Sequence, residues 1–362
     1  MAFNFIPYLY PGEQLAVVAG FPTLYKFCHA NPEKPLVVFI PGGGHNSRIA
    51  YGGHLGSREE DFLAYWLNKL GHDLLSISYP QESEPHDIMP PVAPDFRIRD
   101  WGLQAAEVTK LVVDQYNLLH SVVLVGWSMG GRVVVPYTKA AKGMGITVEL
   151  FVALSATPGL AAARPPPSDT RQTMAGYATF DRMQSLFLEQ IDEQNRLNGC
   201  TIIHEDVYLS DYYGHTPVSL LGWNLKYSPG KDFQYDDITS TQDASAHSFD
   251  QWPPIAALHG DSILDARHVL TDKATWSFFQ THRLMKAIEV KGLASVKERG
   301  SWNTVIQLVM AFSERMSTQI HGSHFFFLGE QGARHTAEAL VRHLEQTKNF
   351  RSTLESLLAP EV

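Results

Sequence analysis

An α/β chain, built on a mostly parallel, doubly wound sheet with helices on both faces, is what this sequence predicts. Three observations carry that prediction. Short, continuous apolar runs, such as Leu36 to Ile40 between Pro35 and Pro41 and Leu74 to Tyr79 before Pro80, read as strands buried on both faces. Stretches with apolar residues at helical spacing follow such runs, and the two alternate along most of the chain. The alternation lapses between residues 157 and 253 and then resumes. The expected organisation is therefore a core made of residues 1–156 and 254–362, with a helical lid, residues 157–253, inserted after the sixth strand.

Taken in order, Leu15 to Val18 and Leu24 to Phe27 read as short strands joined by a turn at Gly20 to Pro22, forming an antiparallel edge. From Glu59 to Leu70, the residues Phe62, Leu63, Trp66 and Leu70 recur at helical spacing, and Gly71 caps that helix. A Pro-rich loop spans residues 80–94. An amphipathic helix follows from about Asp100 to Leu119, with Leu103, Val108, Leu111 and Val112 on or near one face. The run Val122 to Val125 then breaks into Gly126-Trp127-Ser128-Met129-Gly130-Gly131 before a helix-permissive stretch, Arg132 to Ala141. Thr147 to Leu154 is the next strand. Between residues 157 and 253, polar helical segments around Thr179 to Leu197 precede an aromatic stretch, and the region reads as an inserted lid because a structureless loop of that length is unusual inside a compact domain. Beyond it, Ile255 to His259 is a strand, Asp272 to Ala287 and Trp302 to Arg315 are helical, and Met316 to Ile320 is a last short strand. Ala333 to Leu344 closes the chain as an amphipathic helix before a polar tail.

Composition narrows the function. With 362 residues, 44% hydrophobic and 19% charged, the chain is long enough and apolar enough for a sizeable core. A formal net charge of -9 and the lack of any Lys/Arg run argue against nucleic acid as a partner. Cys28 and Cys200 lie far apart without metal-ligand spacing, so both are expected as free thiols and neither a disulfide framework nor a zinc site is expected. The opening residues lack a basic stretch followed by an apolar one, and no segment approaches a membrane span. A cytoplasmic protein is expected. No Gly-rich phosphate loop, metal-binding carboxylate pair or dinucleotide fingerprint occurs, so neither cofactor nor metal is expected.

In a doubly wound sheet the site lies at the carboxyl ends of the strands, so residues just after strands are the ones that matter. Ser128 follows one strand, at a sharp turn flanked by Gly126 and Gly130 that would project its hydroxyl above the sheet. A serine hydroxyl needs a base, and His324, in a Gly-Ser-His-Phe turn late in the chain, is the candidate, with His321 the fallback. The base in turn needs a carboxylate, for which Asp261 and Asp265 compete in the loop after His259. Backbone N–H donors for an oxyanion are expected from Met129, at the start of the helix, and from the Pro41-Gly42-Gly43-Gly44 run, with Gly43 preferred and Gly44 next. Gly44 and Trp127, flanking these groups, are expected at the substrate. His45 and Arg48 suit either a polar substrate group or plain loop capping.

The segments VVFIPGGGH, LLSISYP, VVLVGWSMGG, ALHGD and GSHFFF together resemble the α/β-hydrolase superfamily, and PGGGHNSRIAYGG with the helix after it resembles fungal α/β-hydrolase-like proteins, some linked to secondary metabolism. That resemblance implies the chain order Ser, Asp, His for a catalytic triad. It also favours Asp261 over Asp265, because a loop two residues shorter than usual places Asp261 at the triad position. Trp127 stands where many members carry histidine. By the same resemblance the lid would shape an apolar pocket, drawing on Met174, Met183, Phe187, Tyr212, Tyr213 and Trp223, which also suit a plain helical core. The implied activity is a serine hydrolase that cleaves an ester, thioester or lactone of an apolar small molecule through an acyl-enzyme on Ser128. An acyltransferase or cyclising enzyme using the same residues is the nearest alternative. A non-catalytic protein that binds a small ligand on this fold is the rival of another class.

Overall fold

A computed structural model describes residues 7–359 except 86, 161–164, 292 and 299. Eight strands form the main sheet: β1 (Glu13–Val18), β2 (Phe21–Cys28), β3 (Leu36–Ile40), β4 (Leu74–Ile77), β5 (Ser121–Trp127), β6 (Thr147–Leu154), β7 (Ile255–His259) and β8 (Ser317–Gln319). Their order across the sheet is β1-β2-β4-β3-β5-β6-β7-β8. β1 pairs antiparallel with β2, and β2 antiparallel with β4; every pairing from β4 onward is parallel. This is the α/β-hydrolase fold.

The central strands are continuous apolar runs because both of their faces are covered. In β3, Val37 and Phe39 point to one layer while Leu36, Val38 and Ile40 point to the other. The first layer holds α1 (Leu63–Lys69) and the long C-terminal helix, through Leu63, Leu67, Leu340 and Leu344. The second holds α2 (Ile98–Gln115) and α3 (Val134–Gly143), through Val108, Val112, Val134 and Tyr137. Along α2, Val108 and Val112 are buried but Leu103 and Leu111 are exposed, so the apolar stripe is narrower than the spacing predicts.

Between β6 and β7, the described residues add no strand to the main sheet. They supply α4 (Asp181–Asn198), a π turn at Tyr208–Tyr212, a 3-10 turn at Val218–Leu221 and α5 (Asp237–Ala244). Phe187, Tyr208, Tyr212 and Tyr213 from this segment share one buried cluster with β3 and β5, so it is packed into the core of the sheet layer. Past β7 come α6 (Lys273–Lys291), α7 (Leu293–Glu298) and α8 (Trp302–Arg315). The last helix, α9, runs through Glu330–Leu358 where a shorter helix and a polar tail were expected. Phe350, Leu354 and Leu358 are buried along its second half, and Phe350 stacks on Phe312 of α8 with ring centroids 3.9 Å apart. No helix among the described residues is long and apolar enough to cross a membrane.

Candidate active site

Ser128 sits where β5 ends and a 3-10 turn (Ser128–Val133) leads into α3. Its φ is +52°, a left-handed conformation that a residue with a Cβ adopts at a cost of about 1–3 kcal/mol and only when its surroundings impose it. The surroundings do so here. A Cβ on Gly126 would lie 2.8 Å from the carbonyl oxygen of Gly130, and one on Gly130 would lie 2.6 Å from that of Ile40. The turn thus folds back on β5 and against β3 at distances only glycine allows. The Ser128 carbonyl accepts the Thr157 N–H at 2.7 Å, which ties the turn to the end of β6.

His324 lies in the loop between β8 and α9, with Nδ1 2.9 Å from Oδ1 of Asp265. The other carboxylate oxygen accepts the Ser155 hydroxyl at 2.7 Å. Both partners are 3% exposed. Burial alone would raise the Asp265 carboxyl, but the His324 imidazole beside it, helped by His268 and Ser155, holds it down to about 2. An ionised carboxylate there keeps the His324 proton on Nδ1 and leaves the Nε2 lone pair free to accept one.

Asp261 was the expected partner of His324, and the structure corrects that. Its carboxylate lies 2.9 Å from Nδ1 of His321 instead and accepts the Gly322 N–H at 3.0 Å. The reason is local. Ser262 caps a 3-10 turn, Ile263–Asp265, by accepting the Leu264 N–H, and that turn swings Asp265 inward while Asp261 stays on the outer side of the loop. His321, the fallback base, is 74% exposed and does not line the cavity described below.

The N–H groups expected as oxyanion donors can be placed from backbone geometry. The Tyr79 hydroxyl donates to the Gly42 carbonyl at 2.9 Å, and because the peptide is planar and trans, the Gly43 N–H points the opposite way. Gly44 donates its N–H to Thr216 Oγ1 at 2.9 Å and is packed against the Tyr213 ring, so it neither offers a free donor nor lines the cavity. Met129 is the second residue of its turn, where an N–H has no partner within the helix. Gly43, Met129, Ser128 and His324 all line one cavity of about 140 Å³, the size that accepts a benzene ring.

Trp127 also departs from expectation. It is fully buried on the far side of the turn and donates its indole N–H to the His324 carbonyl at 3.1 Å, packing against Phe325 and Phe327. Its contacts hold the loop that carries His324, and it does not line the cavity. His45 and Arg48 take the capping role. His45 donates from Nδ1 to the Gly43 carbonyl and accepts the Tyr208 hydroxyl, and burial pushes it down to about 3. Arg48 is clamped by Glu13 through two bonds of 2.8 Å. Of the aromatic and methionine residues expected over the site, Met183, Phe187 and Trp223 line the cavity, Tyr212 and Tyr213 are core, and Met174 is fully exposed.

Two contributors were not foreseen. Ser155 is the residue after β6, so the strand-end rule that singled out Ser128 points to it as well. His268 stacks on His324 with centroids 4.8 Å apart and is lowered by burial. Asp265, His268 and His324 offer ligand atoms within 4.8 Å of one another, close enough to share a cation, although Ser155 and His324 already occupy both oxygens of Asp265.

No family model and no curated protein sequence matches the chain. Solved structures similar to it include an esterase from Pyrobaculum calidifontis, at 14% identity and a TM-score of 0.45 over 95% of this chain and 87% of that one. A thermophilic esterase from Thermogutta terrifontis aligns at 12% identity and a TM-score of 0.46, covering 92% and 98%. The thioesterase domain from the curacin biosynthetic pathway aligns at 12% and 0.41, covering 91% and 98%. At these values the likenesses say nothing of substrate or chemistry.

Proposed function

We propose that the chain is a serine hydrolase of ester-type substrates, with Ser128 as nucleophile, His324 as base, Asp265 as the carboxylate that orients it, and the Gly43 and Met129 N–H groups as oxyanion donors. One observation carries the reading: a serine held at φ +52° at the end of a central strand faces the same cavity as a histidine whose Nδ1 is bonded to a buried aspartate. In the acylation step Ser128 Oγ bonds to the carbonyl carbon as its proton passes to His324 Nε2. The tetrahedral oxyanion then collapses, the bond to the leaving oxygen or sulfur breaks, and the leaving group takes that proton. Water, deprotonated by His324, releases the acid and restores Ser128. In support of the orienting role, the His324 imidazole beside it holds the Asp265 carboxyl down to about 2 against the effect of burial.

A fluorophosphonate probe tests the reading. Intact-mass and peptide analysis should find one adduct on Ser128, absent in Ser128→Ala. A folded wild-type sample that stays unlabelled and cleaves no aryl ester would sink the proposal.

A further inference from the structure

The cavity above Ser128 has a second polar wall, which the acyl chemistry does not use. Arg132 lines it, four residues after Ser128 on the same turn, and is only 2% exposed. Its single hydrogen bond among the described residues runs from Nη1 to the Leu160 carbonyl at 3.3 Å. Nε and Nη2 are buried without any partner among the described residues. Residues 161–164, which follow Leu160, are Ala-Ala-Ala-Arg and bring no carboxylate. Burial and, after it, the like charge of Arg267, also on the cavity, lower the Arg132 guanidinium to about 10, still protonated at neutral pH. Arg267 itself spends part of its charge on Asp272, 3.3 Å away.

A buried guanidinium with no counter-ion is costly to fold, and the cost is met where a ligand supplies the missing charge. Which atoms are free matters more than their number. Nε–H and Nη2–H lie along one edge of the guanidinium and point in parallel, the fork that takes both oxygens of one carboxylate or phosphate. The remaining edge is spent on the Leu160 carbonyl. On the other side the fold keeps the space tight: a Cβ at Gly222, which also lines the cavity, would overlap the Arg132 head group, so only glycine at that point lets the guanidinium lie where it does. The one acid among the residues lining the cavity, Asp265, is engaged by His324 and Ser155.

We infer that Arg132, assisted by Arg267, is an oxyanion-binding subsite, and that the substrate carries a carboxylate or phosphate group besides the bond Ser128 attacks. This rests on the proposed serine hydrolysis and narrows its substrate from apolar esters to anionic ones. The charged group sits in the same small cavity as the scissile bond, so the two are a few bonds apart.

Matched aryl esters test it on the full chain. The first pair is 4-nitrophenyl butanoate against 4-nitrophenyl hemisuccinate, with the charge on the acyl side. A second set places the charge on the leaving group: phenyl butanoate against its 4-carboxy and 4-phosphonooxy derivatives, which separate carboxylate from phosphate. At least one anionic member should exceed its neutral match in kcat/KM by about tenfold or more, the range of a charge-assisted hydrogen-bond pair. Arg132→Met should bring that ratio to one or below, and Arg132→Lys, which keeps the charge but loses the fork, should fall between. A wild-type ratio at or below one in every set, or a ratio that survives Arg132→Met, overturns the inference while leaving serine hydrolysis standing. If Arg132→Met does not fold, wild-type calorimetry with glutarate and inorganic phosphate decides: saturable binding of either, weakened in Gly222→Ala, supports the subsite, and binding of neither rejects it. Those titrations need no turnover, so they read the subsite even where fluorophosphonate labelling fails.

Discussion

Two aspartate–histidine pairs bridge the same two loops, and they differ in everything but distance. Asp265 and His324 meet at 2.9 Å with each side chain 3% exposed; Asp261 and His321 also meet at 2.9 Å, with side chains 33% and 74% exposed. Water screens the outer pair, which contributes little beyond tying one loop to the other. In the inner pair the carboxylate is dry, held by a second donor from Ser155, and its imidazole reaches the cavity. Contact distance therefore does not identify a catalytic dyad. Burial, a third hydrogen-bonding partner and an imidazole at the cavity are what set the inner pair apart.

The contrast can be broken most directly by Asp265→Asn, which keeps the shape but stops holding the proton on Nδ1. Ester turnover should fall by about 10⁴-fold in a protein with unchanged circular dichroism. Asp261→Asn, assayed beside it, should stay within about twofold of wild type. A collapse in both, or in Asp261→Asn alone, would erase the distinction. Next in size, Ser155→Ala removes one donor from a charged acceptor and should lower kcat/KM by about tenfold, with KM little changed.

Acid stability sharpens the comparison further. The folded Asp265 carboxyl is held to about 2, below its ordinary value of 3.8, so the folded state binds that proton more weakly than the unfolded chain does. The stabilisation is complete above the unfolded value and is lost as pH falls through the folded one. Denaturant melts of wild type and Asp265→Asn should converge as pH drops from about 4 toward 2. The smallest effect belongs to His321→Gln, whose turnover and melting temperature should match wild type within error at 0.15 M salt.

Strand ends were readable from the sequence pattern, because buried parallel strands leave continuous apolar runs. That rule points to Ser128 and His324, which the fold brings to one cavity. The choice between Asp261 and Asp265 is not, since both follow the same strand, and a three-residue turn capped by Ser262 decides which carboxylate faces inward. Arg132 is harder still. In sequence it is an ordinary cation after two glycines, and its lack of a counter-ion among the described residues depends on how chain from around residues 160 and 222 closes over it. Trp127 misled for a related reason: adjacent to Ser128 in sequence, it points away from the cavity because side chains alternate along a strand.

The segment between β6 and β7 is fastened to the site by its backbone. Asn46 donates its N–H to the Tyr212 carbonyl at 3.1 Å and Gly214 donates its N–H to the Gly44 carbonyl at 2.9 Å, while the Gln194 side chain of α4 adds a bond to the Leu328 carbonyl at 2.9 Å. Swinging this segment away as a unit would pull on the very loop that carries the Gly43 donor. Ligand exchange is therefore expected to proceed by side-chain rotation at the cavity mouth, on the nanosecond scale, and not by a slow hinge. In deuterium-exchange terms, the amides of Asn46 and Gly214 should exchange as slowly as those of β5, opening only when the whole domain does.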